Sequence, residues 1–194
     1  MTVHELKNWL RAEARARRGA HTRAQRHELT PGITEALSSL VADLEATSVA
    51  IFLSTPQEPQ TREAIRVLSA RGIRFYAPVS QPGGSMAWTL VDANTPERSG
   101  LGGIPEPDVG EADTSPSITV DAVICPAAAV DGTGTRLGWG GGYYDRFLAG
   151  LPAGTPVFAL VFDDDVVSDL PREAHDVPVS GVVTPSGWQR IAGS

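Results

Sequence analysis

Val49-Ala50-Ile51-Phe52-Leu53-Ser54-Thr55-Pro56 sets five apolar residues in a row and then turns abruptly polar. A strand with one face in water alternates apolar and polar residues, so a short unbroken run reads as a strand covered on both faces. The pattern recurs at 73–77, which Pro78 is expected to stop, at 122–125 before Pro126, at 157–162 and at 181–184, and residues 88–91 suggest one more strand. Helical patterns lie between these runs. Residues 61–71 carry Thr61 as cap, Ala64, Ile65 and Leu68 on one face, and Gly72 as terminator. Residues 143–148 form a shorter helix. Upstream, 2–18 shows a narrow stripe of Leu6, Leu10 and Ala14 beside Trp9, with Gly19 as a stop, and 31–46 has Thr30 as N-cap and Pro31 at its first position.

Strands alternating with helices predict a single α/β domain over 1–194: a mostly parallel, Rossmann-like sheet with helices on both faces. Residues 92–117, rich in Pro, Gly, Asp and Glu, read as a surface excursion. Ligands of such sheets gather beyond the carboxyl ends of the strands. Three strands run into polar clusters, at 54–58, 131–136 and 163–165, and these are expected to converge on one crevice.

Charge and composition narrow the function classes. The chain of 194 residues has a net charge of −7, yet residues 1–30 carry +4 and the remainder −11. A basic N-terminal helix on an acidic body is compatible with nucleic-acid binding, but more often marks a solvated face or a grip on a phosphorylated small ligand. The expected partners therefore include no nucleic acid, and no membrane either, because no apolar run approaches the roughly 20 residues a span needs. The lone Cys125, inside an apolar run, reads as an inert buried thiol, and a reducing cytoplasmic setting fits it. The chain has 15 arginines and one lysine, Lys7. Where a compact ammonium on a flexible stem is needed, Arg does not substitute, so the retention of Lys7 points to chemistry. Lys7 and Arg11, four residues apart, share a helix face.

The segment 132–145, Gly-Thr-Gly-Thr-Arg-Leu-Gly-Trp-Gly-Gly-Gly-Tyr-Tyr-Asp, places six glycines among 14 residues. Glycine lets successive N–H groups turn toward an anion, and a helix start just beyond adds its own N–H groups. Arg136 is a forked donor matched to phosphate, and Asp145 is a hard oxygen ligand suited to Mg²⁺. Neither GxxxxGK[ST] nor a fitting GxGxxG is present. The residues by themselves imply phosphate, a nucleotide by preference, with Mg²⁺.

Arg136-Leu137-Gly138-Trp139-Gly140-Gly141-Gly142-Tyr143-Tyr144-Asp145-Arg146, preceded by Asp131 and Gly134, closely resembles the signature of the 5-formyltetrahydrofolate cyclo-ligase (5,10-methenyltetrahydrofolate synthetase) family. Lys7-x-x-x-Arg11, Phe52-Leu53-Ser54 with Glu58 and Thr61, Ile104-Pro105-Glu106-Pro107, and Leu170-Pro171 with His175-Asp176 resemble further family segments in the same order. The resemblance implies ATP-dependent closure of 5-formyltetrahydrofolate to 5,10-methenyltetrahydrofolate by a cytoplasmic, commonly monomeric enzyme, with Mg²⁺ as cofactor and ATP as co-substrate. It implies catalytic roles for Lys7 and Arg136. ATP would be held by Lys7, Arg11, Arg136, Leu137, Gly138, Trp139, Gly140, Gly141, Gly142, Tyr143 and Tyr144. Folate would meet Leu53, Glu58, Trp139, Gly140, Gly141, Gly142 and Tyr143, and Asp145 and Asp176 would bind the metal. The chain departs from the family at Ala127-Ala128-Ala129-Val130, where a Gly and an aromatic are frequent, at Gly141, where a lysine is common, and at Asp165, where a glutamine is frequent.

Other residues have plainer readings. His4, His21 and His27 and the arginines at 15, 17, 18, 23 and 26 are expected at the surface. Trp88 and Trp188 are expected in packing, and Asp163-Asp164-Asp165 in a solvated turn with one member near the ligand. A family relative that only sequesters folate and a nucleic-acid-binding protein are the competing readings.

Overall fold

The computed structural model describes residues 2–173 and 176–191. Its helices are α1 (Val3–Ala20), α2 (Arg23–Glu28), α3 (Thr30–Asp43), α4 (Arg62–Ser69) and α5 (Tyr143–Ala149). Its strands are β1 (Ser48–Ile51), β2 (Arg74–Ser80), β3 (Met86–Val91), β4 (Glu97–Ser99), β5 (Pro105–Pro107), β6 (Ala122–Pro126), β7 (Ala129–Asp131), β8 (Arg136–Leu137), β9 (Val157–Leu160), β10 (Val166–Val167), β11 (Gly181–Thr184) and β12 (Gly187–Arg190). Seven strands form the main sheet in the order β12-β11-β9-β6-β1-β2-β3. The inner pairings are parallel, and β3 and β12 close the edges antiparallel.

The unbroken apolar runs have a direct cause. Successive side chains of a strand point to opposite faces. In β1, Val49 and Ile51 enter one core while Ala50 enters the other. In β9, Phe158 and Leu160 go one way, and Val157 and Ala159 the other. The first core takes Ile33, Leu37 and Leu40 of α3 with Ala64, Ile65 and Leu68 of α4. The second takes Leu148 of α5. Helices therefore cover both faces, as the runs require. Ile51 is fully buried, and cutting it back to Ala would cost about 2–5 kcal/mol. Trp88 and Trp188 pack as expected, against Phe147 and Phe158 respectively.

α1 sits apart from both cores. Its Ala14 packs with Ala128, Ala129, Leu137 and Leu170 over a small second sheet, ordered β10-β7-β8. Of the Ala127–Val130 departure, Ala128 and Ala129 form a buried floor of small residues beneath the helix, while Ala127 and Val130 face the second core. The excursion at 92–117 carries the β4–β5 hairpin and is sewn to the sheet at Ser115, whose N–H and C=O both bond Trp88.

Local expectations fail where tertiary pairing overrides propensity. Pro78 does not stop β2, because β1 pairs only with Arg74, Phe75 and Tyr76. Beyond them that side of β2 is an edge, which tolerates a residue without an N–H. α1 runs through Gly19 to Ala20. α2 is an unanticipated helix whose Thr22 and Gln25 form a capping box. Leu29, not Thr30, is the N-cap of α3. Thr61 begins α4, but its hydroxyl donates to the Phe52 carbonyl at 2.8 Å rather than capping the helix.

Candidate active site

β2 and β6 flank β1 on opposite sides, so the chain's winding reverses there. Crevices open at such points beyond the carboxyl ends. The segments that leave β1, β6 and β9 do converge, and α1 closes over them. Arg11 Nε donates to the Gly138 carbonyl at 2.8 Å. Trp139 Nε1 donates to Glu58 Oε1 at 3.2 Å. Arg18 donates to the Ala127 carbonyl at 2.7 Å and to Asp165 at 2.8 Å. One helix thereby touches the exits of β6 and β9, and the glycine loop touches the exit of β1.

Lys7 is buried, at 7 % exposure. Its ammonium donates to Glu173 at 2.8 Å and Asp176 at 2.7 Å. Burial pulls the Lys7 pKa down, but the two carboxylates outweigh it and hold it above its ordinary value. Lys7 is therefore a full cation at neutral pH. Burial, then the neighbouring Arg15, lower the pKa of Arg11, against the pull of Asp145, Asp176 and Glu173. A guanidinium so shifted keeps its proton.

Arg136 is buried, pairs with Asp145, and donates to the Pro126 carbonyl at 3.1 Å. Its Nε is buried with no hydrogen bond among the described residues. The fork explains one glycine: a Cβ on Gly138 would lie 2.9 Å from Arg136 NH1. Gly142 explains another. It is the N-cap of α5 at φ 68°, left-handed, and no side chain caps that end among the described residues. Arg146 fastens the loop to the 82–84 turn, donating to the carbonyls of Gly84 and Gly141 and lying 5.4 Å over the Tyr143 ring. Tyr144 turns into the core, and burial raises its pKa.

Glu58 is buried and accepts from Thr55 N at 2.8 Å through its second oxygen. The exit of β1 is stiffened by Ser54, Thr61 and the Phe52 and Pro59 carbonyls, all hydrogen-bonded together. Leu53 does not join Glu58 and Trp139. It packs with α4 in the first core and borders a groove of about 190 Å³ with Arg62, Val91 and Glu97.

Asp145 and Asp176 both lie within the field of Arg11. No group of three or more His, Cys, Asp or Glu side chains among the described residues is arranged to hold a metal. Two hard carboxylates that both act on Arg11, the residue that grips the glycine-rich loop, are nonetheless of the chemical type that suits Mg²⁺, which takes one or two protein carboxylates. His175 lies outside the described residues. Cys125 is fully buried, and burial pushes its pKa to about 11, an inert thiol as expected.

Comparison with known proteins decides the family. Residues 3–185 match the sequence profile of the 5-formyltetrahydrofolate cyclo-ligase family. The chain belongs to that family. The 5-formyltetrahydrofolate cyclo-ligase of Escherichia coli strain K12 is 35% identical over 177 residues, covering 89% of this chain and 96% of that protein. The Haemophilus influenzae cyclo-ligase is 29% identical over 182 residues, covering 90% and 95%. The solution structure of the Aquifex aeolicus 5,10-methenyltetrahydrofolate synthetase superposes with a TM-score of 0.79 at 26% identity, over 97% of this chain and 94% of that one. The activity that goes with membership is that of a 5-formyltetrahydrofolate cyclo-ligase.

Within the cyclo-ligase fold, two residues read as surface charge turn out to be central. Arg18 is 1 % exposed, and Arg17 pairs with the buried Asp165 at 3.0 Å. Asp165 is therefore no solvated turn residue, although Asp163 and Asp164 are exposed. His21 is half-buried against the Phe162 ring. Lys7, Ala14 and Arg18 recur at helical spacing and form the buried face of α1, while Leu6 and Leu10 are half-buried, but the letters alone did not set Arg18 apart from the neighbouring arginines.

Proposed function

We propose that this cyclo-ligase uses ATP, with Mg²⁺, to phosphorylate the formyl oxygen of 5-formyltetrahydrofolate and so lets N10 close the ring. One observation carries the reading. The Arg11 to Gly138 and Trp139 to Glu58 hydrogen bonds join the cationic helix, the glycine loop and a buried carboxylate into one site.

The formyl oxygen is a poor leaving group. It attacks the γ-phosphorus, the bond to ADP breaks, and an imidate-like phosphate forms on the folate. N10 then attacks the formyl carbon, sheds its proton, and inorganic phosphate departs with the former formyl oxygen. Such transfer depends on in-line placement and on neutralising charge rather than on covalent help from the protein. Lys7, Arg11 and Arg136 supply that charge. The backbone of 137–144 lies along the phosphates, and the packed Ala14–Ala128 contact holds α1 against the loop. Asp145 and Asp176 would hold Mg²⁺, which would supply positive charge to the transferring phosphate. Glu58 accepts paired donors from the pterin ring, with Trp139, Gly140, Gly141, Gly142 and Tyr143 lining the folate, while Leu53, packed in the first core, supports the β1 exit from behind. In this reading Glu173 and Asp176 occupy Lys7 until phosphate oxygens compete for it.

The chain works as one domain over 1–194, as a monomer in the cytoplasm, with no nucleic acid or membrane as partner. No helix among the described residues is long and apolar enough to cross a membrane. Against a polynucleotide, Arg11, Arg17 and Arg18 of α1 are turned onto the glycine loop and Asp165. The test is formation of the methenyl chromophore from 5-formyltetrahydrofolate with and without ATP and Mg²⁺. Chromophore only with both is expected, and none with stoichiometric protein would overturn the reading.

A further inference from the structure

Arg18 is buried more deeply than any hydrogen-bonding account of it requires. Nε donates to Asp165 and NH2 to the Ala127 carbonyl, while NH1 is buried with no partner among the described residues. Anchoring α1 does not need Arg18 alone, because Arg17 already grips the other oxygen of Asp165. What Arg18 adds is a flat cation between two rings. Its guanidinium carbon lies 5.0 Å from the Trp139 centroid and 5.5 Å from that of Phe162. Arg15 lies 5.3 Å from the same Trp139 ring, from the exposed side of α1. Cation–π attraction of this kind strengthens as water is excluded, which favours the buried Arg18 over the exposed Arg15.

Trp139 stands in a glycine-rich loop, with little backbone stiffness of its own. Its Nε1–H is the donor that meets Glu58. We propose that Arg18, fixed by Asp165 and the Ala127 carbonyl and stacked on Trp139, is a positioning residue for folate recognition: it holds the indole so that Glu58 is aimed. This rests on the reading of Glu58 as a folate contact. Arg18 touches neither substrate nor phosphate in this account and acts through Trp139 alone.

Steady-state kinetics of the full chain separate the possibilities. Glu58→Gln and Trp139→Phe, the latter keeping a ring but losing the N–H, should each raise KM for 5-formyltetrahydrofolate about tenfold, the scale of a lost hydrogen bond to a charged group. Arg18→Gln should raise it similarly, leaving KM for ATP within about twofold because the phosphate contacts are untouched. In the Trp139→Phe background, Arg18→Gln should add less than about twofold, since both act through one contact. Should Arg18→Gln fail to fold, Arg18→Lys keeps the buried charge while losing the flat fork, and takes the same place in the cycle. Effects that multiply, or an Arg18 variant that lowers the melting temperature and kcat at unchanged folate KM, would show a merely structural bolt and overturn the proposal. Unchanged folate KM in both Glu58→Gln and Trp139→Phe would instead remove Glu58 from the folate site, a failure of the underlying reading that does not depend on Arg18.

Discussion

At the scale of single residues, Lys7 is the clearest case of chemistry outweighing composition. In a chain that otherwise uses arginine throughout, one ammonium sits buried against two carboxylates. Its pKa is raised, so the stabilisation from these contacts is fully present below pH 10.5, the ordinary lysine value, and is lost only as pH rises through the folded value. Lys7→Arg should therefore fold at neutral pH yet lower ATP-dependent kcat by about tenfold or more, because a guanidinium cannot reproduce a compact point charge. Wild-type kinetics from that variant would make the retention of lysine accidental. Asp145 carries the companion prediction. Its pairing with Arg136 means that Asp145→Asn removes a charged partner of a buried guanidinium as well as the proposed magnesium ligand. A several-fold higher Mg²⁺ requirement is expected, with a fall of about 3–12 °C in melting temperature from the roughly 1.5–3 kcal/mol of that lost charge-assisted bond. A normal magnesium titration would take Asp145 out of the metal site.

At the scale of elements, the site depends on turns more than on the strands themselves. Asp131 closes the β7–β8 turn by accepting from Thr133 N, Thr133 Oγ1 and Thr135 N, and it reaches across to Leu170 N. Burial alone would raise its pKa, but these donors more than offset that and hold it below 3.8. A depressed carboxylate contributes stability above its unfolded pKa and loses it as pH falls through the folded one. Asp131→Asn should therefore cost about 2 kcal/mol at pH 7, and that deficit should shrink progressively below about pH 4. Urea denaturation at a series of pH values measures it, and a deficit independent of pH would assign the loss to something other than charge. Pro78 within β2 and the unforeseen α2 belong at this scale too. Pro78 follows from which neighbour is present, whereas α2 follows from a local signal, its Thr22–Gln25 capping box.

At the scale of the whole molecule, α1 is tied to loops more than a hundred positions away by Lys7, Arg11 and Arg18. A ligand seated among those loops has to stabilise the helix. With Mg²⁺-ATP at about 100 times its Kd, linkage contributes about 2.7 kcal/mol, which should raise the melting temperature by about 5–10 °C. Amide exchange in Val3–Ala20 should slow in parallel. Unaltered exchange in α1, with protection confined to the glycine loop, would show that the helix does not grip the nucleotide.

The sequence alone determined the fold class and the family. Short unbroken apolar runs such as 49–53, alternating with helical patterns, point to strands buried on both faces, and the motif from Arg136 to Arg146 carries the family resemblance. These are local properties, legible because side-chain alternation and backbone freedom act over a few residues. Only the tertiary structure decided which charges are inside. Arg15, Arg17 and Arg18 are alike as letters, yet Arg15 stays exposed, Arg17 is shared and Arg18 vanishes beneath Trp139. Their difference comes from Asp165, Ala127 and Trp139, which lie on three other segments. The burial of a charge depends on partners that only chain crossing supplies. The small sheet of β10, β7 and β8 was hidden for the same reason, since strands of two or three residues carry too little pattern to be read without their neighbours.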